Sequence, residues 1–139
     1  MSLQAKLDAF KADFKGGKAP YFAPPEIHPV MERATAELVA SGQAARALKA
    51  GDVAPEFTLN DPDGNPVSSV ELLKQGPIVI SFYRGAWCPY CNLELMALQE
   101  ALPSFKAEGA SLVAISPQNA VNSRKSIRTN KLSFPTVIS

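Results

Sequence analysis

Sulfur and imidazole are scarce in this chain: its 139 residues include two cysteines, one tryptophan and one histidine. Tetrahedral zinc takes about four protein ligands in a structural site. The cysteines supply two, and the sole histidine, His28, belongs to a separate helical pattern, where it reads as a helix-terminus or surface residue. Charge of one sign is also lacking. The formal net charge is +1, so no global field recruits nucleic acid or an anionic membrane. The local basic stretch Arg124, Lys125, Arg128 and Lys131 reads as a solvated helix face. No apolar run approaches the ~18 residues of a membrane span. The opening "MSLQAKLDAFKADFKGGK" carries charge throughout and has no apolar core of a secretory signal, so the expected location is cytoplasmic. Neither a G-x-G-x-x-G following a strand nor a phosphate loop occurs, and nothing marks a flavin or haem site; no cofactor is expected.

What remains is globular. Hydrophobic residues make up 46% and charged residues 19% of the chain, enough for one domain with a core and too short for two ordinary ones. Leu3, Leu7, Phe10 and Phe14 recur at helical spacing and Gly16-Gly17 ends the run. A second helix is written by Ile27, Val30, Met31, Ala34 and Leu38, with Pro29 in its first turn and Ser41-Gly42 as its stop. Residues 1–49 are thus expected to form a helical extension of two amphipathic helices that need a partner surface, and 50–139 a separate α/β domain.

From Gly51 the period changes. "EFTLN" (56–60) alternates, "DPDGNP" (61–66) is a turn signal, and Val67 begins a return strand, which predicts a β-hairpin. Val70, Leu72 and Leu73 predict a short helical turn. "IVISFY" (78–83) and "SLVAIS" (111–116) have the composition of strands buried on both faces of a parallel sheet. Between them a helix is predicted over 89–107, with Leu93, Met96, Leu98, Leu102 and Phe105 buried and a kink at Pro103. A polar helix over 118–129 and a third strand over 134–139 complete a strand–helix–strand–helix–strand order, which implies right-handed crossovers and helices covering a parallel sheet.

Both cysteines and the tryptophan fall in "FYRGAWCPYCN" (82–92), at the seam between the first apolar strand and the long helix. Cys88 is placed at or beside the helix N-terminus, where the dipole and unpaired N–H groups favour a thiolate. Cys91 lies one turn further on the same side, so a bond between the two needs little backbone movement. Arg84 adds positive charge if its side chain turns back to the sulfur. Pro89 suits the first helical turn, and Trp87 and Tyr90 supply apolar walls. In a reducing compartment a close pair of this kind points to redox chemistry before structural bridging.

The stretches "AGDVAPEFTLNDPDGNPVSSVELL", "PIVISFYRGAWCPYCNLELMALQEALPSFKAEGASLVAISPQ" and "LSFPTVIS" together resemble the peroxiredoxin-like branch of the alkyl hydroperoxide reductase/thiol-specific antioxidant family, within the thioredoxin-like superfamily. The likeness runs over residues 50–139. It implies a thioredoxin-like central sheet with an N-terminal hairpin and flanking helices. The implied activity is that of a thiol peroxidase: one cysteine attacks a small hydroperoxide and becomes a sulfenic acid. The other then condenses with it as a Cys88–Cys91 disulfide, and a thioredoxin- or glutaredoxin-like partner reduces that bond.

In the family's Pro-x-x-x-Thr-x-x-Cys motif, aligned through Phe82-Tyr83, the proline position is Arg84, the threonine position Cys88 and the peroxidatic position Cys91. That register nominates Cys91 as the attacking thiol. The logic of a Cys-x-x-Cys pair nominates Cys88 instead, as the more N-terminal and better exposed sulfur, and with it a general thiol–disulfide oxidoreductase or a non-catalytic redox sensor. The family's second active-site arginine lies in a C-terminal part that this sequence does not include, leaving Arg84 as the candidate for charge stabilisation. The same comparison implies an unpaired edge along residues 78–83, to be covered by the N-terminal helices, by further residues, or by a second copy in a homodimer.

Overall fold

The computed structural model describes residues 1–139 as two compact units, Met1–Pro55 and Glu56–Ser139. The first unit holds α1 (Leu3–Lys15), α2 (Ile27–Ala40) and the short α3 (Gln43–Arg46), a turn of helix that the spacing of apolar residues does not announce. Ser2 caps α1 by accepting from the Ala5 N–H at 3.2 Å. Phe10 stacks on Phe14 at 6.0 Å, Tyr21 meets Phe10 edge-on at 5.1 Å, and the His28 ring meets Phe14 edge-on at 5.5 Å. His28 therefore sits in the first turn of α2, against an aromatic ring. A Lys15–Glu32 ion pair at 2.9 Å joins the two helices on their exposed side. Along α2, Ile27, Val30, Met31 and Leu38 remain exposed.

In the second unit the chain runs β1 (Thr58–Asn60), β2 (Pro66–Ser68), α4 (Ser69–Leu73), β3 (Ile78–Phe82), α5 (Pro89–Ala107), β4 (Ser111–Ser116), α6 (Ala120–Asn130) and β5 (Thr136–Ile138). The five strands form one sheet in the order β2-β1-β5-β4-β3. The hairpin pairs antiparallel, with Leu59 opposite Val67, and joins the rest through Asn60 and Ile138. Asp61 makes the turn: its carboxylate accepts from the N–H groups of Asp63 and Asn65, each at 2.9 Å. The other three strands are parallel, Ile78 to Phe82 matching Ser111 to Ile115 and Ala114 matching Thr136. Arg124 of α6 reaches back to Asp63 at 2.9 Å, so one of the four basic residues is held by the hairpin turn.

The two sheet faces carry separate cores. Val113, Ile115 and Val137 pack on one face, with Phe57, Leu59, Val67, Leu72, Ile78 and Ile80. On the other, α5 lays Cys88, Cys91, Leu95 and Leu102 over Tyr83, Leu112 and Ala114. Two expectations are corrected here. The core-facing line of α5 is Cys91, Leu95, Leu98, Leu102 and Phe105, at alternating steps of four and three, with Leu98 and Phe105 half-buried; Leu95 is fully buried whereas Met96 is 39% exposed. The thiols belong to the apolar stripe, and counting Cys91 as a hydrophobe sets the phase. Secondly, β4 is the strand covered on both faces, while β3 is half-buried and its Phe82 is 76% exposed. β3 is the edge of the sheet, with no strand beyond it, as the family resemblance implied and its apolar composition alone did not. None of the helices is long and apolar enough to cross a membrane.

Candidate active site

Parallel strands β3 and β4 end side by side, since Phe82 is opposite Ile115 and the Tyr83 N–H donates to the Ile115 carbonyl at 3.0 Å. The loops leaving their carboxyl ends, 83–88 and 117–119, therefore lie together, where open α/β sheets commonly build their sites. Gly85 makes the first loop feasible. Its φ is +153°, and a Cβ there would stand 2.9 Å from Trp87 Nε1 and 3.1 Å from Gln118 Oε1.

Cys88 is the N-cap of α5. Its backbone is extended (φ −92°, ψ 106°), Pro89 occupies the first helical turn, and its sulfur accepts from the Cys91 N–H at 3.4 Å. A serine or aspartate oxygen usually fills this role; here a sulfur does. Arg84 Nη2 donates to the same sulfur at 3.3 Å, with the guanidinium carbon 4.9 Å from the Trp87 ring centroid. The arginine is thus held between an indole face and a thiol. Cys91 Sγ is 2.6 Å from Cys88 Sγ and receives the Arg84 N–H at 3.5 Å. No disulfide joins the two cysteines, and their sulfurs lie within reach of a bond of about 2.05 Å.

These contacts divide the two sulfurs. Burial by itself would raise the Cys88 thiol, but the Cys91 thiol, the Cys91 N–H and the Arg84 guanidinium outweigh it and bring the pKa below the ordinary value. Burial raises Cys91, and the neighbouring Cys88 sulfur raises it further; the Arg84 N–H and guanidinium offset only part of this. The electrostatics favour a Cys88 thiolate beside a neutral Cys91 thiol. Exposure does not follow the expectation that Cys88 is the more open sulfur: it is fully buried, whereas Cys91 retains 9% of its surface. The cap position that makes Cys88 acidic also tucks it under the loop.

All six residues singled out in the sequence, Arg84, Trp87, Cys88, Pro89, Tyr90 and Cys91, come together here. Trp87 is 68% exposed above Arg84, and Tyr90 packs against the core that contains both thiols. Missing from that set are Gln118, Asn92, Asn130 and Ser126. Gln118 Oε1 accepts from the Ala86 N–H at 2.9 Å, and its Nε2 donates to Tyr83 Oη at 2.9 Å and Ser126 Oγ at 3.0 Å. Asn92 Nδ2 donates to the Ala86 carbonyl at 3.1 Å, while Asn130 Nδ2 donates to Asn92 Oδ1 at 2.9 Å. The only hint in the sequence is position: Gln118 follows a buried strand whose neighbour leads into the cysteine loop.

A mixed sheet with a parallel β3-β4-β5 core and a Cys-x-x-Cys pair at the start of the helix after β3 defines a dithiol domain of thioredoxin-like fold. Within that class the chain belongs to the AhpC/TSA family, whose model matches residues 50–138. It is 34% identical over 84 residues to the chloroplastic peroxiredoxin Q of Oryza sativa subsp. japonica, an alignment covering 60% of this chain and 38% of that protein. Among solved structures, peroxidoxin BcpB from Mycobacterium tuberculosis superposes with a TM-score of 0.64 at 29% identity, over 67% of this chain and 60% of that one. The thioredoxin domain of a thiol-disulfide oxidoreductase from Bacteroides vulgatus gives 0.58 at 28% identity, over 66% and 65%. The chain spans less than two-thirds of the length of each.

Proposed function

We propose that this chain is a thiol peroxidase that reduces small hydroperoxides through Cys88 and Cys91. One observation carries the reading: a sulfur at a helix N-cap faces an N–H and a guanidinium, with a second thiol within bonding reach. The Cys88 thiolate attacks one peroxide oxygen and forms an S–O bond while the O–O bond breaks. The departing oxygen leaves with the electron pair, takes up a proton, and departs as water or an alcohol. Arg84 stabilises the charge that builds on it. The Cys91 sulfur then attacks the Cys88 sulfenic acid. An S–S bond forms, and the hydroxyl leaves with the Cys91 proton as water. A thioredoxin- or glutaredoxin-like dithiol supplies two electrons and two protons to restore the pair.

Cys88 has no accessible surface, so the peroxide reaches it as a covering side chain moves. Arg84, exposed and touching the sulfur, is the side chain assigned to that movement. Trp87, Pro89 and Tyr90 bound the entrance. The reading includes a reducing compartment, taken as the cytoplasm, and a homodimer formed through the open edge of β3. Light scattering that gives a monomer at every concentration would remove the dimer.

The test is stopped-flow mixing of reduced protein with hydrogen peroxide, followed by trapping and mass spectrometry. Wild type should consume peroxide far faster than free cysteine and form the internal disulfide. Cys91→Ser should keep the fast step and accumulate a sulfenic acid on Cys88, and Cys88→Ser should lose the fast step. Retention of it by Cys88→Ser would transfer the attack to Cys91, as the family register has it. A wild type no faster than free thiol would end the peroxidase reading. The likeness to a thiol-disulfide oxidoreductase domain favours a second reading, general disulfide exchange. That activity would appear as insulin-disulfide reduction abolished by Cys88→Ser.

A further inference from the structure

Between the cysteine pair and the rest of the domain stands one residue, Ala86, whose backbone N–H and carbonyl are each gripped by a side-chain amide. The Ala86 N–H can only donate, which fixes the orientation of the Gln118 amide: Oε1 faces Ala86, and Nε2 faces Tyr83 Oη and Ser126 Oγ. The Ala86 carbonyl can only accept, which fixes Asn92 in the same way, with its Oδ1 left for Asn130. Ser126 and Asn130 are buried residues on α6, and Asn130 also donates to the Ser126 carbonyl at 3.0 Å. Every polar atom of the two amides meets a partner of matching type. The grip comes from the β4–α6 loop on one side and from α5 backed by α6 on the other. Gly85, immediately before the gripped residue, packs so close that a Cβ would strike Trp87 and crowd Gln118.

We infer that Gln118 and Asn92 form an amide clamp on Ala86 that holds the 84–88 loop in register, and that Gln118 is a positioning residue for the contact between Arg84 and Cys88. The clamp acts at a distance of two residues from each end of that contact: Arg84 precedes Ala86 by two positions and Cys88 follows it by two. Without it the loop can drift from the helix mouth, and the guanidinium drifts with it. The titratable groups around the Cys88 sulfur are Arg84 from the loop and Cys91 from α5; Tyr83, the residue after β3, brings a phenol to the network, and α6 meets it with a hydroxyl and an amide. A loosened loop therefore removes positive charge from the sulfur and supplies none in return. This inference rests on the reading of Cys88 as the reactive thiol.

The experiment follows the rate of alkylation of the Cys88 thiol against pH in full-length Cys91→Ser protein, with and without Gln118→Met, a change of similar length that keeps no amide. Circular dichroism and thermal melting check the fold. The clamp predicts a profile displaced to higher pH, with rates on its rising limb down about fivefold, the worth of one lost hydrogen bond, and the alkaline plateau unchanged. Asn92→Ala should displace it in the same direction. If Gln118→Met fails to fold, Gln118→Glu, which keeps the acceptor toward Ala86, is measured in its place. Its added negative charge gives the same displacement at low salt, and the clamp requires this to fade as salt rises because the loop itself is held. Superposable profiles for parent and folded Gln118→Met or Asn92→Ala overturn the clamp, as does a uniform rate change at every pH or a Gln118→Glu displacement that salt leaves untouched. An ordinary profile in the parent overturns the reading of Cys88 itself, and the two failures are thus distinguished.

Discussion

Replacing Arg84 by methionine keeps a long side chain over Trp87 while deleting the charge that lies 3.3 Å from Cys88 Sγ. Arg84 is exposed while the sulfur it touches is buried, so the water-like limit of Coulomb's law gives the smallest effect to expect. At that distance two unit charges attract by about 1.3 kcal/mol in a medium of dielectric constant about 80. Lost from the thiolate form alone, this lowers the ionisation constant of the thiol by somewhat less than about tenfold. The Cys91 N–H and the helix N-terminus remain, so the thiol keeps part of its acidity. Alkylation kinetics against pH, in a Cys91→Ser background to leave one sulfur, measure the effect directly. The Arg84→Met curve should move to higher pH and meet the parent curve on the alkaline plateau. Because Arg84 is exposed, added salt should weaken the parent's advantage in part and leave the variant nearly unaffected. Superposable curves would refute the reasoning, since a guanidinium in contact with a thiolate cannot be without effect on its population.

Other outcomes follow from the same geometry. Gly85→Ala forces a side chain onto a φ of +153° and into Trp87 and Gln118; it should cost about 1–3 kcal/mol, seen as a lower melting temperature, and slow thiol alkylation. Leu95→Ala opens the fully buried centre of the α5 core and should cost about 2–5 kcal/mol in a denaturant titration. For pH, the sign is set by a Cys88 thiol held below its ordinary pKa. Peroxide consumption by reduced protein should rise with pH and level off before free cysteine does, and a midpoint at or above that of free cysteine would contradict it. Raised Cys91 should remain a protonated thiol through neutral pH, so differential labelling there should mark Cys88 first.

Much of the fold can be read from local pattern, because each element is written by contiguous residues. The hairpin announces itself in "DPDGNP", and α5 is legible from Pro89 to Gly109. Even the chemistry at its mouth is local, since Cys88, Pro89 and Cys91 occupy a single turn. What escaped the pattern is non-local. β3 and β4 share an apolar composition, and only pairing order reveals that one is an edge and the other central. The phase of α5 depends on treating a reactive residue as a hydrophobe. Gln118 and Asn130 reach partners more than thirty residues away, and no spacing rule connects them. Parallel register does: once Phe82 is opposite Ile115, the residues following each strand become neighbours.

The sulfur cap of α5 also bears on how readily the pair surrenders its oxidised state. As a thiolate, Cys88 supplies the helix mouth with both a hydrogen-bond acceptor and a negative charge; joined to Cys91 it is neutral and a poor acceptor, and the first turn is left uncapped. Each return of electrons therefore repairs the helix. On the proposed disulfide cycle, stabilising the dithiol in this way raises the reduction potential of the couple, which favours taking electrons from a donor dithiol over giving them to other disulfides.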